Sequence, residues 1–213
     1  MFQTVLKDSS FELTEKKSRF IACLMYVESK EEAENKIRDC KKKFHDARHN
    51  CSAYRVIDNK GIYEKSSDDG EPSGTAGAPM LNILQKNNLC NVLIVVTRYF
   101  GGILLGTGGL VRCYSDSAVG AIKLADKVII EEGIEFQVEM DYNYLEPFKY
   151  YCRKNGISIV NIDYYEKIIC RFEVENRFVK VFLKDIENKK VDVMNVKELG
   201  KKNIIVPPLR GNN

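Results

Sequence analysis

The 213-residue chain has no uninterrupted apolar run approaching the roughly 18 residues that a membrane span needs. Its opening, MFQTVLKDSSFELTEKK, lacks the apolar core of a signal peptide, which predicts a cytoplasmic protein. Cysteine occurs seven times without a pattern. Positions 23, 40, 51, 90, 113, 152 and 170 are odd in number, scattered and never spaced C-x-x-C, which argues against both a disulfide framework and a zinc ribbon. Charge of one sign is also missing: 33 basic against 30 acidic side chains leave +3, too little to imply nucleic-acid binding from bulk electrostatics. There is no low-complexity segment and no tandem repeat.

What is present is an ordinary globular composition, 44% hydrophobic and 30% charged, on a chain long enough for two modest domains. Ser18 to Val27 has strand composition, and Ser29-Lys30-Glu31-Glu32 is a capping box that announces a helix through Ala33, Ile37, Cys40 and Phe44. Lys41-Lys42-Lys43 suits the negative end of that helix better than a nucleic-acid patch. Cys51 to Ile57 and Gly61 to Ser66 read as a hairpin joined through Asp58-Asn59-Lys60. A polar, glycine-rich loop follows, then a short helix opened by Pro79, a buried strand over Val92 to Val96, and a helix from Gly109 to about Asp126 with a small-residue stripe.

The remainder reads as a strand through Ile134 to Met140 and a helix closed by Gly156. Strands over Ile157 to Asp163 and Ile168 to Val174 come next, then a helix capped by Asn176 and a last strand through Val191, Val193 and Val196. That order, β-α-β-β-α-β, is ferredoxin-like. The fold class is therefore α+β, with domains over residues 1–130 and 131–213.

Eight of the fourteen glycines fall between Gly70 and Gly109, in two loops, which predicts turns selected for backbone freedom or for close approach by something else. Arg98 ends the buried strand and Arg112 sits in an early turn of the helix, where a positive charge opposes the helix dipole. An anion held by the free N–H groups of Gly106, Thr107, Gly108 and Gly109 would relieve that opposition. A plain tight turn, with Arg112 paired to Asp116, explains the same residues equally well. Two nucleotide motifs fail: after Gly101-x-x-x-x-Gly106, Thr107 and Gly108 stand where a P-loop needs Lys and Ser or Thr, and Val111 replaces the third glycine of a dinucleotide fingerprint. His49 and Cys51 lie roughly 6.6 Å apart along an extended strand, too far for a thiol–imidazole dyad. Asp68, Asp69 and Glu71 form the one compact acidic cluster near the glycines and are expected to cap the loop and pair with Arg98 or Arg112 rather than hold a metal. Neither a cofactor nor a metal is expected.

KKSRFIA (16–22), HNCSAYR (49–55), SDDGEPSGTAGAPM (67–80) and VVTRYFGGILLGTGGLVR (95–112) together resemble the YigZ/Impact family, uncharacterised protein family 0029. The resemblance implies a first domain like domain 2 of ribosomal protein S5. It also implies a pairing of domains similar to the last two of elongation factor G, whose relatives touch RNA and the ribosome. Eukaryotic members are translational regulators acting on the amino-acid-starvation kinase pathway. The reading that results is a non-enzymatic, translation-associated protein that meets RNA, the ribosome, a protein of the translation machinery or another phosphate-bearing partner, and no membrane. Its expected groove is formed by His49, Arg55, Asp69, Glu71, Arg98, Tyr99, Gly101, Gly102, Gly106, Thr107, Gly108, Gly109 and Arg112, with no catalytic residue among them. The rival is an enzyme acting on a small phosphorylated or carboxylated metabolite, with Asp68, Asp69 or Glu71 as acid or base.

Overall fold

A computed structural model describes residues 2–58 and 60–206, and the chain divides into two compact units between Ile129 and Ile130. The first unit contains β1 (Phe2–Val5), β2 (Ser9–Glu15), β3 (Ser18–Tyr26), α1 (Lys30–Lys43), β4 (His49–Asp58), β5 (Gly61–Ser67), α2 (Gly77–Lys86), β6 (Val92–Tyr99) and α3 (Gly106–Leu124). Its main sheet is ordered β2-β3-β6-β4-β5, and neighbouring strands are antiparallel throughout. Alternation along the central strand explains its unbroken aliphatic sequence. Val92, Ile94 and Val96 join a core with Met80 and Leu84 of α2 and with Cys113, Tyr114 and Ala118 of α3. Leu93 and Val95 pack with Ala33 of α1, Tyr54 and Val56 on the opposite face. Arg98, two residues past Val96, therefore ends the α2–α3 face of the strand.

The capping box forms: the Ser29 hydroxyl accepts the Glu32 N–H at 3.1 Å, while the Glu32 carboxylate reaches the N–H of Glu28, one residue before the cap. α3 begins at Gly106, three residues earlier than the pattern indicates. Its stripe of Ser117, Ala118, Gly120 and Ala121 is buried, because β2 crosses there; a Cβ on Gly120 would lie 2.2 Å from the Phe11 ring. β1 and β2 have no counterpart in the sequence reading. The Asp58–Lys60 turn includes Asn59, which lies outside the described residues.

The second unit continues β7 (Lys127–Met140) into α4 (Leu145–Asn155), β8 (Ser158–Tyr164), β9 (Ile168–Glu175), α5 (Asn176–Glu187) and β10 (Asn195–Val206). Its strands are ordered β10-β7-β9-β8 around a core of Phe136, Phe148, Phe172 and Phe182. Two expectations need correction. Asn176 is the first helical residue of α5, following Glu175, and gives no side-chain cap. The final strand starts at Asn195, because Val191 is already buried in the core ahead of it.

Candidate functional site

The loop between β5 and α2 is held by its acidic residues, each in a different way. Asp68 accepts the N–H groups of Gly74, Ala76 and Gly77 at 2.8–2.9 Å. Burial raises its carboxyl pKa, but those three donors outweigh burial and hold it below the usual carboxylate value. Gly77 is glycine because a Cβ would stand 2.7 Å from the Ser67 backbone nitrogen. Asp69, at φ +43°, accepts the Asn50 N–H at 2.7 Å and the Lys41 ammonium at 2.5 Å. Glu71 turns inward, and its Oε1 accepts from Arg98 Nη1 at 2.6 Å and from the Tyr114 hydroxyl at 2.9 Å. The Arg98 and Glu71 side chains are 6% and 3% exposed.

His49 Nδ1 lies 2.9 Å from the carbonyl oxygen of Asp69. A carbonyl only accepts, so the neutral ring carries its proton on Nδ1 and leaves Nε2 as an acceptor, 3.8 Å from Glu71 Oε1. Cys51 donates to the Asp68 carbonyl at 2.9 Å, with the Tyr114 hydroxyl 3.3 Å away, and its thiol pKa is pushed up to about 12, chiefly by burial. The two side chains are thus tied to separate loop carbonyls and form no catalytic pair.

The second glycine loop joins β6 to α3. Gly101 permits contact with the β2–β3 turn, for a Cβ there would fall 2.0 Å from the Lys17 carbonyl carbon; its N–H donates to the Ser18 hydroxyl at 3.1 Å. Gly106, at φ +73°, starts α3 in a left-handed conformation. Among the described residues no side chain caps the helix, and its first turn contains no acid, so the N–H groups that begin it are left without intrahelical partners. The two loops enclose a cavity of about 320 Å³ lined by Arg48, His49, Gly70, Glu71, Pro72, Arg98, Phe100, Leu104, Leu105, Gly106, Thr107 and Leu110.

Of the residues expected in the groove, His49, Glu71, Arg98, Gly106 and Thr107 meet around this cavity. Gly101, Gly102, Gly108 and Gly109 belong to the same loop and helix start without lining it. Arg55 lies far along β4, buried against Glu64 at 2.7 Å and the Leu89 carbonyl at 2.7 Å. Tyr99 follows Arg98 and so takes the opposite sheet face, where its hydroxyl donates to Asp46 at 2.9 Å. Asp69 is occupied by Lys41. Arg112 faces Glu15 at 3.8 Å instead of Asp116, with its side chain 68% exposed.

Local sequence pattern singles out neither Arg48 nor the leucines of the cavity. Arg48 lies with its guanidinium 5.6 Å from the Phe100 ring centroid, and no spacing rule distinguishes it from other surface arginines. Among the described residues no three His, Cys, Asp or Glu side chains gather to hold a metal ion, and all seven cysteines are free.

Residues 16–122 match the family model described as Impact N-terminal domain. The chain belongs to the IMPACT family. Residues 138–189 match a second model, Domain of unknown function (DUF1949). Similar relatives are IMPACT family member YvyE of Bacillus subtilis, 37% identical over 89% of this chain and 88% of its own, and IMPACT family member YigZ of Escherichia coli, 35% identical over 73% and 77%. A solved structure of a hypothetical protein is similar at TM-score 0.62 and 29% identity, covering 92% of this chain and 97% of that one. Every residue lining the cavity falls inside the segment matched by the Impact N-terminal domain.

Proposed function

We propose that this member of the IMPACT family is a non-enzymatic binding protein acting in the regulation of translation, and that RNA, free or in the ribosome, lays its phosphate backbone across the mouth of the glycine-rich cleft. In this reading the first unit is an S5 domain 2-like module and the second is ferredoxin-like. The observation that carries it is the bare start of α3. Its uncapped N–H groups are flanked by the exposed cations Arg48 and Arg112 and by Lys16 and Lys17 of the turn that touches Gly101, a set of donors suited to phosphate oxygens.

Binding of single-stranded RNA by the full chain, followed by anisotropy across a salt series, tests this. Four phosphate contacts give a slope of about −3 in log affinity against log salt. Lys16→Glu together with Arg112→Glu should weaken binding and flatten the slope. Negligible affinity that ignores salt refutes the reading. One observation favours the enzymatic alternative, namely Glu71 beside His49 inside a cavity. Turnover of a phosphorylated or carboxylated metabolite that disappears in folded His49→Gln would make that alternative the better account.

A further inference from the structure

The mouth of the cleft and its interior differ in chemistry. Below the exposed cations and the exposed Leu104 the walls are aliphatic, formed by Pro72, Leu105 and Leu110, and the arginine and glutamate side chains that line the cavity are Arg48, Arg98 and Glu71. Glu71 neutralises one arginine and leaves one positive charge over. Arg98, only 5% exposed, lines this space with its guanidinium incompletely hydrogen-bonded. Its Nη1 is bound by Glu71, its Nη2 reaches the Ser18 hydroxyl only at 3.5 Å, and its buried Nε has no hydrogen-bond partner among the described residues. Arg48 makes no ion pair among the described residues. Gly106 and Thr107, whose N–H groups begin α3, line the same cavity.

We propose that this cavity is a binding site for a monoanionic carboxylic acid with a short branched aliphatic body. The carboxylate fits between the start of α3 and the arginines, where one negative charge completes the local balance. A dianion would meet the fixed charge of Glu71, which selects against it. The aliphatic body packs on Leu105, Leu110 and Pro72. A cavity of about 320 Å³ has room for a head group and several carbons, at the small end of ligand sites. Phe100 offers little stacking surface to a nucleobase, because the guanidinium groups of Arg98 and Arg48 stand 5.5 and 5.6 Å from its ring centroid.

Titration calorimetry on the full chain, without RNA, tests the site independently of the RNA reading. Isovalerate should bind about tenfold more tightly than neutral isovaleramide and than isobutylphosphonate held dianionic in mildly alkaline buffer, since one ionic contact of ordinary strength corresponds to that factor. N-acetyl-leucine is the second arm. If it binds more tightly than isovalerate, the carboxylate is supplied by the last residue of a polypeptide; the reverse order assigns the site to a free acid. Thr107→Glu, which places a carboxylate at the exposed helix start, should abolish binding, and Arg48→Gln should weaken it about tenfold. The proposal is overturned if the phosphonate or inorganic phosphate binds as well as isovalerate, if the amide binds equally, or if both variants bind isovalerate unchanged.

Discussion

Replacing Glu71 by Gln keeps the shape of the side chain and removes its charge, leaving the Arg98 guanidinium in a wall where it is 5% exposed and has no other counter-ion among the described residues. Deleting one partner of a buried ion pair typically costs about 3–5 kcal/mol. The amide oxygen of Gln can still accept from Arg98 and Tyr114, which places the expected loss near the lower end, about 3 kcal/mol, or a melting shift of about 10 °C for a unit of this size. Urea unfolding followed by circular dichroism measures the loss, and hydrogen exchange of the β6 amides reads the first unit alone. Adding Arg98→Met to Glu71→Gln should restore most of the stability, because exchanging both members of a buried pair for neutral groups is often close to neutral. An anion that enters the cavity supplies the missing charge, so sulfate should stabilise Glu71→Gln more than it stabilises the parent chain at equal concentration. A loss below about 1 kcal/mol, with no excess response to sulfate, would refute the view that this pair holds the cavity wall.

Gly101 in the loop and Gly108 in the helix that follows it should respond in opposite directions. Gly101→Ala drives a Cβ into the Lys17 backbone at 2.0 Å and should prevent stable folding, whereas Gly108→Ala meets open space inside a helix and should raise stability by about 1 kcal/mol in the same denaturation assay. Asp68→Asn should cost about 1–2 kcal/mol at neutral pH through its three N–H donors. Because the carboxyl pKa is depressed in the folded chain, that stability is complete above the unfolded value of about 4 and is lost as pH falls through the folded value, so the gap between Asp68→Asn and its parent should close in acid urea titrations. The Cys51 thiol, pushed up to about 12 by burial, should resist maleimide at pH 8 until the chain unfolds; rapid native labelling located by mass spectrometry would contradict its placement.

Much of this architecture was readable from local pattern. The run from Val92 to Val96 pointed to a strand covered on both sides, and the two sheet faces divide it as alternation requires. The glycine clustering pointed to the two loops that enclose the cavity. β2 was harder to see, since Ser9–Glu15 is polar and half exposed, yet Phe11 and Leu13 alternate inward and pack on the core. Local pattern does not separate Arg55 from the groove, because strand register is a long-range property: it stands directly opposite Glu64 across the hairpin, six residues along from His49. Period-two alternation separates Tyr99 from Arg98 and sends it to the opposite sheet face. Arg48 had no distinguishing signal, because only the folded loop brings Phe100 beneath it.

The cavity combines a fixed wall with an exposed roof. Ser18 ties the second loop through Gly101, Arg98 ties β6 to the first loop through Glu71, and Tyr114 ties Glu71 to α3, so three elements are joined by one buried polar chain. Such a network is costly unless its members find partners, and here it fixes the positions of the groups that face the cavity. The roof has the opposite character. Ile103 and Leu104 stand 43% and 82% exposed, in a loop that left-handed Gly102 and Gly106 bound on either side. Burying those side chains against a ligand or partner would release apolar surface from water at no cost to the network beneath. A rigid charged floor beneath a rim where Leu104 stands exposed beside Arg48 is the arrangement expected of a site that recognises charge first and gains affinity by burying apolar surface.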